Sequence, residues 1–181
     1  SGTFGSANVA KNMLLEEFPD KKIMLLDSMA ASVGFGLLVL EAAKKKAQGL
    51  SLEEVVTHLE ELKFKTNHIF TVDDLNHLKR GGRISGFSAT MGTMLSIKPI
   101  LYMSKEGKLL NIDKVKGRKK SLHTMVDYLA KGLQNGPAEK VILAHGNCLA
   151  DATHLQQMIL DRNLAKEVMV TPLGMVIGAH T

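Results

Sequence analysis

Short apolar runs alternate with helix-forming stretches along the first third of this 181-residue chain. Residues 21–28, KKIMLLDS, form a continuous apolar run that ends in polar groups, which is typical of a buried parallel strand. A second strand is predicted over residues 64–72. Helical spacing predicts helices at 6–17 and 33–48, and a third opening on a capping box at Ser51 and Glu54. This alternation predicts a parallel α/β layer.

From about residue 66 the pattern changes. Residues 99–115 read as strand, turn at Glu106-Gly107 and strand, which is a hairpin and therefore antiparallel sheet. Further helices are predicted at 71–79, 118–133 and 149–160, and further strands at 140–146, 168–171 and 175–179. We therefore predict an α/β fold of two domains. Residues 1–66 belong to an N-terminal parallel α/β domain, and residues 67–181 form a C-terminal α/β domain with a mixed or antiparallel sheet and helices.

The composition restricts the partners. A net charge of +5 favours anions such as nucleic acid, acidic lipid, phosphate or carboxylate. Six Phe, two Tyr and no Trp argue against binding of single strands by base stacking. Cys148, the single cysteine, excludes an internal disulfide framework and fits a reducing cytoplasm. No apolar run approaches the roughly 20 residues of a membrane span. The ten methionines suit core filling, and also an adaptable apolar pocket.

The stretch LKRGGRIS, residues 78–85, is rich in glycine and cations. It lacks the Gly-Lys-Ser/Thr of a phosphate-binding loop, and it follows a predicted helix rather than a strand. Gly81 or Gly82 is interpreted as the left-handed stop of that helix, with Lys79 and Arg80 at its negative end. Arg83 lies beyond the stop, so this interpretation explains it less well.

A second basic run, KVKGRKK at residues 114–120, holds five cations in seven residues. Such a run is usually a solvated face. It also fits a site for phosphate or an acidic protein, in which Gly117 lets the backbone approach closely and Arg118 makes two-point phosphate contacts. Both interpretations stay open at this stage.

Other polar residues give weaker signals. Ser1-Gly2-Thr3 precede a predicted helix start, which suits either a carboxylate or phosphate site or an ordinary N-cap. His145 and Cys148 lack the further ligands of a zinc site. His180 taken alone is typical of a structural histidine. A triad of Ser1, His180 and Asp27 lacks the Gly-x-Ser-x-Gly elbow, so we predict neither metal binding nor hydrolysis.

Six segments in order resemble the DegV family of fatty-acid-binding proteins. They are SGTFGSA at 1–7, VDDLNHLKRGGRIS at 72–85, IKPIL at 97–101, KVKGRKKSL at 114–122, AHG at 144–146 and VIGAHT at 176–181. The resemblance implies a two-domain protein that holds one long-chain fatty acid between its domains. It implies that the bound acid is presented to a fatty acid kinase, where one is encoded, and becomes an acyl phosphate. The binder itself is not the enzyme.

The resemblance also assigns residues. Ser1 matches a carboxylate-binding hydroxyl and His180 the carboxylate-binding histidine, with Gly2 and Thr3 as weaker candidates. Because residues 87–95 are apolar with small residues among them, we expect them to form part of the acyl wall. Candidates for meeting the kinase or its phosphate are Lys79, Arg80, Arg83 and Arg118. No metal or cofactor is expected beyond the fatty acid ligand, the location implied is cytoplasmic, and transient membrane contact fits.

The family's first strands have no counterpart here, and its pattern continues beyond Thr181. Together with the absence of an initiator methionine, this leads us to expect part of a longer protein. Two rival functions stay open. One is a small-ketone binder similar to the substrate domain of dihydroxyacetone kinases, and the other is a basic nucleic-acid-binding regulator. The absence of an evident helix-turn-helix weighs against the second, and no nucleic acid is expected as a partner.

Overall fold

The computed structural model describes residues 2–73, 75–82 and 96–179, with the backbone alone at 76, 77 and 79. These residues form a mixed α/β structure, as predicted. The helices are α1 Gly2–Glu17, α2 Ser32–Ala47, α3 Leu52–Leu62, α4 Leu75–Arg80, α5 Arg118–Gly132, α6 Leu149–Asp161 and α7 Met175–Gly178. The strands are β1 Ile69–Phe70, β2 Ile97–Met103, β3 Leu109–Lys116, β4 Val141–His145 and β5 Val168–Pro172.

The chain divides into two compact units. Unit one comprises Ser1–Met29 and Phe35–Thr66, and unit two comprises Ala30–Gly34 and Asn67–Thr181. The core of unit one is built by side chains from α2 and α3, namely Leu38, Val55 and Leu59. The helices of this unit follow from local sequence signals. In particular, the predicted capping box is confirmed, because the Glu54 amide donates to Ser51 Oγ and the Ser51 amide donates to Glu54 Oε2.

The strand predicted at residues 21–28 is wrong, because this segment has no regular secondary structure. A strand needs a neighbouring strand to pair with its backbone, and the described residues of unit one contain no strand. The apolar character of the run has another explanation here. Leu26 packs against the unit-one core, and Lys63 Nζ donates to the carbonyl of Asp27 at 3.1 Å.

Unit two contains the predicted hairpin. Strands β1, β2 and β3 form an antiparallel sheet in that order. Ile100 and Leu101 of β2 are fully buried, and a register shift between them leaves an extra residue on β3. The strand predicted over 64–72 shortens to Ile69–Phe70, since only these two residues pair with β2.

A second sheet follows, in which β4 and β5 run parallel. It packs with α5 and α6 around a core whose buried members are Leu122, Val126, Leu155, Ile159 and Ala165. The parallel strands described in this chain thus lie in its last third, whereas the sequence pattern placed them in its first third. Helix α6 connects β4 to β5, because two parallel strands must be joined by a crossover connection.

Two further elements, α7 and α4, differ from the predictions. The segment predicted as a strand at 175–179 instead holds the short helix α7, because the Gly178 and Ala179 amides donate to the carbonyls of Gly174 and Met175 and so close a helical turn. A short apolar run cannot be assigned to strand or helix from its pattern alone. The helix predicted at 71–79 is described from Leu75 to Arg80, and Asp74 lies outside the described residues.

Candidate functional site

The first candidate site is the N-terminus of α1. Gly2 and Thr3 form the first turn of this 16-residue helix, rather than the loop before it that the sequence predicted. Both are exposed, and the first turn holds no acidic side chain. The leading amides of a helix have no intrahelical acceptor, and they lie at its positive dipole end. This end of α1 is therefore suited to a carboxylate.

The partners assigned to this site by resemblance are Ser1 and His180. Both lie outside the described residues, as do Arg83 and the predicted acyl wall at 87–95. The described residues leave space around the N-terminal end of α1. Apart from adjacent residues and the backbone of α1 itself, no described atom lies within 4 Å of the position that a Cβ would take at Gly2 or Gly5. The described part of this helix end is therefore accessible to a ligand.

In the LKRGGRIS stretch, the predicted left-handed stop of the helix is confirmed. Gly82 has a φ of +68°, so it is the left-handed residue that ends α4. Leu78 is only 2% exposed and packs with Leu101, which anchors α4 on the antiparallel sheet. Arg80 is exposed at the last position of α4. The Lys79 side chain lies outside the described part of the chain.

The second candidate site is a pocket of about 500 Å³ at the N-terminus of α5. We call it the basic pocket. It is lined by Lys116, Gly117, Arg118, Lys119, Lys120 and His123. Gly117 precedes the helix with a φ of +89°, a conformation that favours glycine, and it provides no side-chain cap. The α5 amides therefore face a concentration of cations without a capping carboxylate in the first turn. Such a site attracts phosphate or carboxylate oxygens.

Arg118 is held in place within this pocket. Its Nε donates to Asp151 Oδ2 at 2.7 Å, and its Nη2 lies 3.8 Å from the Cys148 sulfur. The charge of Arg118 also acts on Asp73. The pKa of Asp73 is lowered chiefly by the hydrogen bond from Lys98, with smaller contributions from the charges of Lys98 and Arg118. Arg118 is thus oriented by its partners rather than extended freely into solvent.

Sequence reasoning missed His123 and His68. His123 lies three residues after Lys120 in α5, so helical spacing was an available signal for it. His68 gave no such signal, because its environment depends on the fold. Its Nε2 is buried without a hydrogen-bond partner among the described residues, as is Thr71 Oγ1. Burial lowers the pKa of His68, so the neutral imidazole is favoured there.

Two further properties of the described residues concern metal ions and membranes. The described residues include no group of three or more His, Cys, Asp or Glu side chains placed to hold a metal ion together. Within the same residues, none of the helices combines the length and apolar character that a membrane span requires.

Comparison with known proteins gives consistent matches along the whole chain. A family model described as "Uncharacterised protein, DegV family" matches residues 1–181. A DegV domain-containing protein of Clostridium perfringens is 45% identical over 181 residues, which cover 100% of this chain and 62% of that protein. The chain therefore spans less than two thirds of the length of this relative.

Solved structures agree. The crystal structure of a DegV family protein from Ruminococcus gnavus, refined with vaccenic acid, matches with a TM-score of 0.92 and 29% identity. The match covers 99% of this chain and 64% of that one. The Fatty Acid Kinase (Fak) B3 protein of Streptococcus pneumoniae, loaded with linoleic acid, matches with a TM-score of 0.88 and 31% identity. It covers 100% of this chain and 64% of that one.

Proposed function

The chain belongs to the DegV family, and from this we propose that the protein binds a long-chain fatty acid and presents its carboxylate to a fatty acid kinase. The observation that carries the proposal is the similarity, over 99% to 100% of this chain, to structures described with bound vaccenic and linoleic acid. The second of these is itself described as a fatty acid kinase B protein. In this proposal the protein is a carrier, and the kinase supplies the catalytic groups.

The carboxylate end of the ligand is assigned to the start of α1. A carboxylate removed from water is costly unless hydrogen-bond donors replace the water. The amides of the first α1 turn supply such donors, and the exposed Thr3 hydroxyl lies in the same turn. Ser1 and His180 complete the set in the proposal, through their match to the family's carboxylate-binding residues.

We assign the basic pocket to contact with the phosphate groups that the kinase brings to the carrier. Formation of an acyl phosphate transfers a phosphoryl group from a nucleotide to a carboxylate oxygen, so negative charge accumulates between carrier and kinase. Arg118, Lys119 and Lys120 offer cations at a helix N-terminus, where oxyanions are favoured. Arg80 is exposed on α4 and has the same role in the proposal, as do Lys79 and Arg83.

The binding step is tested on the intact purified protein. Mass spectrometry of an organic extract is expected to find a long-chain fatty acid, and delipidated protein is expected to take up oleate. His180→Ala and Ser1→Ala are expected to weaken oleate binding. His58→Ala, which changes a histidine of α3 that faces Glu41, is the matched control and is expected to bind normally. Absence of both co-purified lipid and oleate uptake would overturn the proposal.

A further inference from the structure

Helices α5 and α6 meet along a seam that three pairs of side chains cross, namely Arg118 with Asp151, His123 with His154, and Asp127 with Arg162. The two ion pairs have N···O distances of 2.7 and 2.8 Å, and the ring centres of the two histidines lie 6.1 Å apart. Of these residues, Arg118 and His123 also line the basic pocket. The seam therefore holds two comparable ion pairs, one of which reaches a candidate ligand site.

The guanidinium of Arg118 meets α6 through one of its edges. Its Nε donates to Asp151 Oδ2, and its Nη2 lies 3.8 Å from the sulfur of Cys148, the N-cap residue of α6. Nε and Nη2 form one edge of the planar guanidinium, and Nη1 and Nη2 form the next. Within the described part of the chain, no acceptor contacts Nη1. This second edge is therefore available for a two-point contact with an oxyanion.

Asp151 is a fixed point for the arginine. Its neighbour Ala152 and Leu155, one turn further along α6, are both buried. A carboxylate in the first turn of a helix is also favoured by the helix dipole. The ion pair itself is partly exposed, with 30% of the Arg118 side chain and 36% of the Asp151 side chain accessible. Ion pairs in contact with water add little to stability, so a role in orientation explains this contact better than a role in folding.

We propose that Asp151 is a positioning residue, which holds Arg118 so that its Nη1–Nη2 edge faces a phosphate group in the basic pocket. The inference rests on the proposed contact of that pocket with phosphate groups. Arginine has a long, flexible side chain, and a two-point contact forms only when the planar guanidinium is correctly oriented. Holding the guanidinium before the phosphate arrives reduces the ordering that binding requires.

A second carboxylate competes for Arg118. The pKa of Asp73 is lowered chiefly by the hydrogen bond from Lys98, and the charge of Arg118 adds a smaller contribution. Asp73 therefore lies within the electrostatic reach of the guanidinium. Without Asp151, Arg118 is free to turn toward Asp73 or toward solvent, and its outer edge no longer stays directed at the pocket.

The test is the binding of pyrophosphate to the intact protein, measured by isothermal titration calorimetry at low salt. Asp151→Ala is expected to weaken binding about three- to tenfold, because the guanidinium loses its orientation. Asp151→Asn keeps an oxygen that can accept from Nε, and it is expected to recover most of that loss. Asp127→Ala, which removes the other ion pair of the seam, is the matched control and is expected to bind as the wild type does.

Other roles of Asp151 give different results. If Asp151 acted only through its charge, Asp151→Ala and Asp151→Asn would both strengthen binding, because a negative charge beside the pocket is removed. If it only joined the helices, Asp127→Ala would weaken binding as much as Asp151→Ala does. Either result, or no pyrophosphate binding by the wild type, would overturn the proposal. In an Arg118→Gln background, Asp151→Ala is expected to have no further effect, because Asp151 acts through Arg118.

A kinase assay separates this proposal from the proposed function. With oleate-loaded protein, ATP and the cognate kinase, the rate of acyl phosphate formation is expected to follow the order of the pyrophosphate affinities. The expected affinities in a protein that neither carries nor takes up a fatty acid would refute the carrier function and support the role of Asp151. Normal oleate uptake with equal pyrophosphate affinities in the wild type and Asp151→Ala would support the carrier function and refute the role of Asp151.

Discussion

The imidazole of His68 occupies the space that a side chain at position 34 would need. Gly34 is buried in the first turn of α2, and His68 lies just before β1. A Cβ at position 34 would overlap the ring itself. The two residues, 34 positions apart in the chain, therefore depend on each other within unit two.

Gly34→Ala is expected to destabilise the protein by about 1–3 kcal/mol, since a methyl group forced into a filled site displaces its neighbours. Gly36→Ala is the matched control, because no described atom outside the adjacent residues and the backbone of α2 lies within 4 Å of its Cβ position. Alanine is the better helix former, so this variant is expected to gain up to about 1 kcal/mol. Denaturant unfolding measures both. Gly34→Ala/His68→Ala is expected to recover stability, and equal effects of the two glycine changes would contradict the contact.

The burial of His68 predicts that the free energy of unfolding depends on pH. Its folded pKa lies below the ordinary value of about 6.5, so the unfolded chain takes up a proton that the folded chain resists. The contribution to stability is therefore complete above pH 6.5. It declines as the pH falls from there toward the folded pKa. His68→Gln is expected to flatten this part of the curve of unfolding free energy against pH. Parallel curves for the wild type and the variant would show that His68 is not the group responsible.

The capping box of α3 predicts a local effect. Ser51→Ala removes the hydroxyl that accepts from the Glu54 amide, and loss of such a cap typically costs about 1 kcal/mol. Ser51→Gly is expected to cost only a few tenths of a kcal/mol. Hydrogen exchange at the Glu54 amide reports the change directly and is expected to accelerate. Ser6→Ala is the control, because Ser6 Oγ donates to the Gly2 carbonyl within α1 and caps no amide.

The sequence predicts those parts of the fold that depend on residues close together in the chain. The α3 start was predictable because Ser51 and Glu54 interact within four residues, and the β2–β3 hairpin because its turn is local. Residues 21–28 and 175–179 were misassigned for the opposite reason. Whether a short apolar run becomes a strand depends on a partner elsewhere in the chain, which periodicity does not reveal.

The candidate sites divide in the same way. The cations of the basic pocket were visible as a run in the sequence. The partner of Arg118 was not, because Asp151 is 33 residues away and meets it only through the packing of α5 on α6. The burial of His68 and the pairing of His123 with His154 likewise arise from contacts between separate elements. Sequence therefore predicted which residues carry charge, and the fold determined which of them meet.

The last prediction concerns Arg118 in the encounter with the kinase. Arg118 and Arg162 are a matched pair, because each contacts an aspartate across the α5–α6 seam at 2.7 and 2.8 Å, respectively. Only Arg118 of these two lines the basic pocket. Arg118→Gln is expected to lower kcat/KM for acyl phosphate formation by the cognate kinase at least about tenfold, as loss of a charge-assisted phosphate contact does. Arg162→Gln is expected to leave it unchanged.

Oleate affinity must stay at the wild-type value in both variants, so that the kinetic loss reports the encounter and not the ligand. Arg118→Lys is expected to recover only part of the rate, because a lysine keeps the charge but cannot make the two-point contact of a guanidinium. Rising salt is expected to reduce the difference between the wild type and Arg118→Gln, since exposed charges are screened. If Arg118→Gln and Arg162→Gln reduced the rate equally, the effect would lie in the ion pairs that join the helices, and the phosphate-facing role of Arg118 would be refuted.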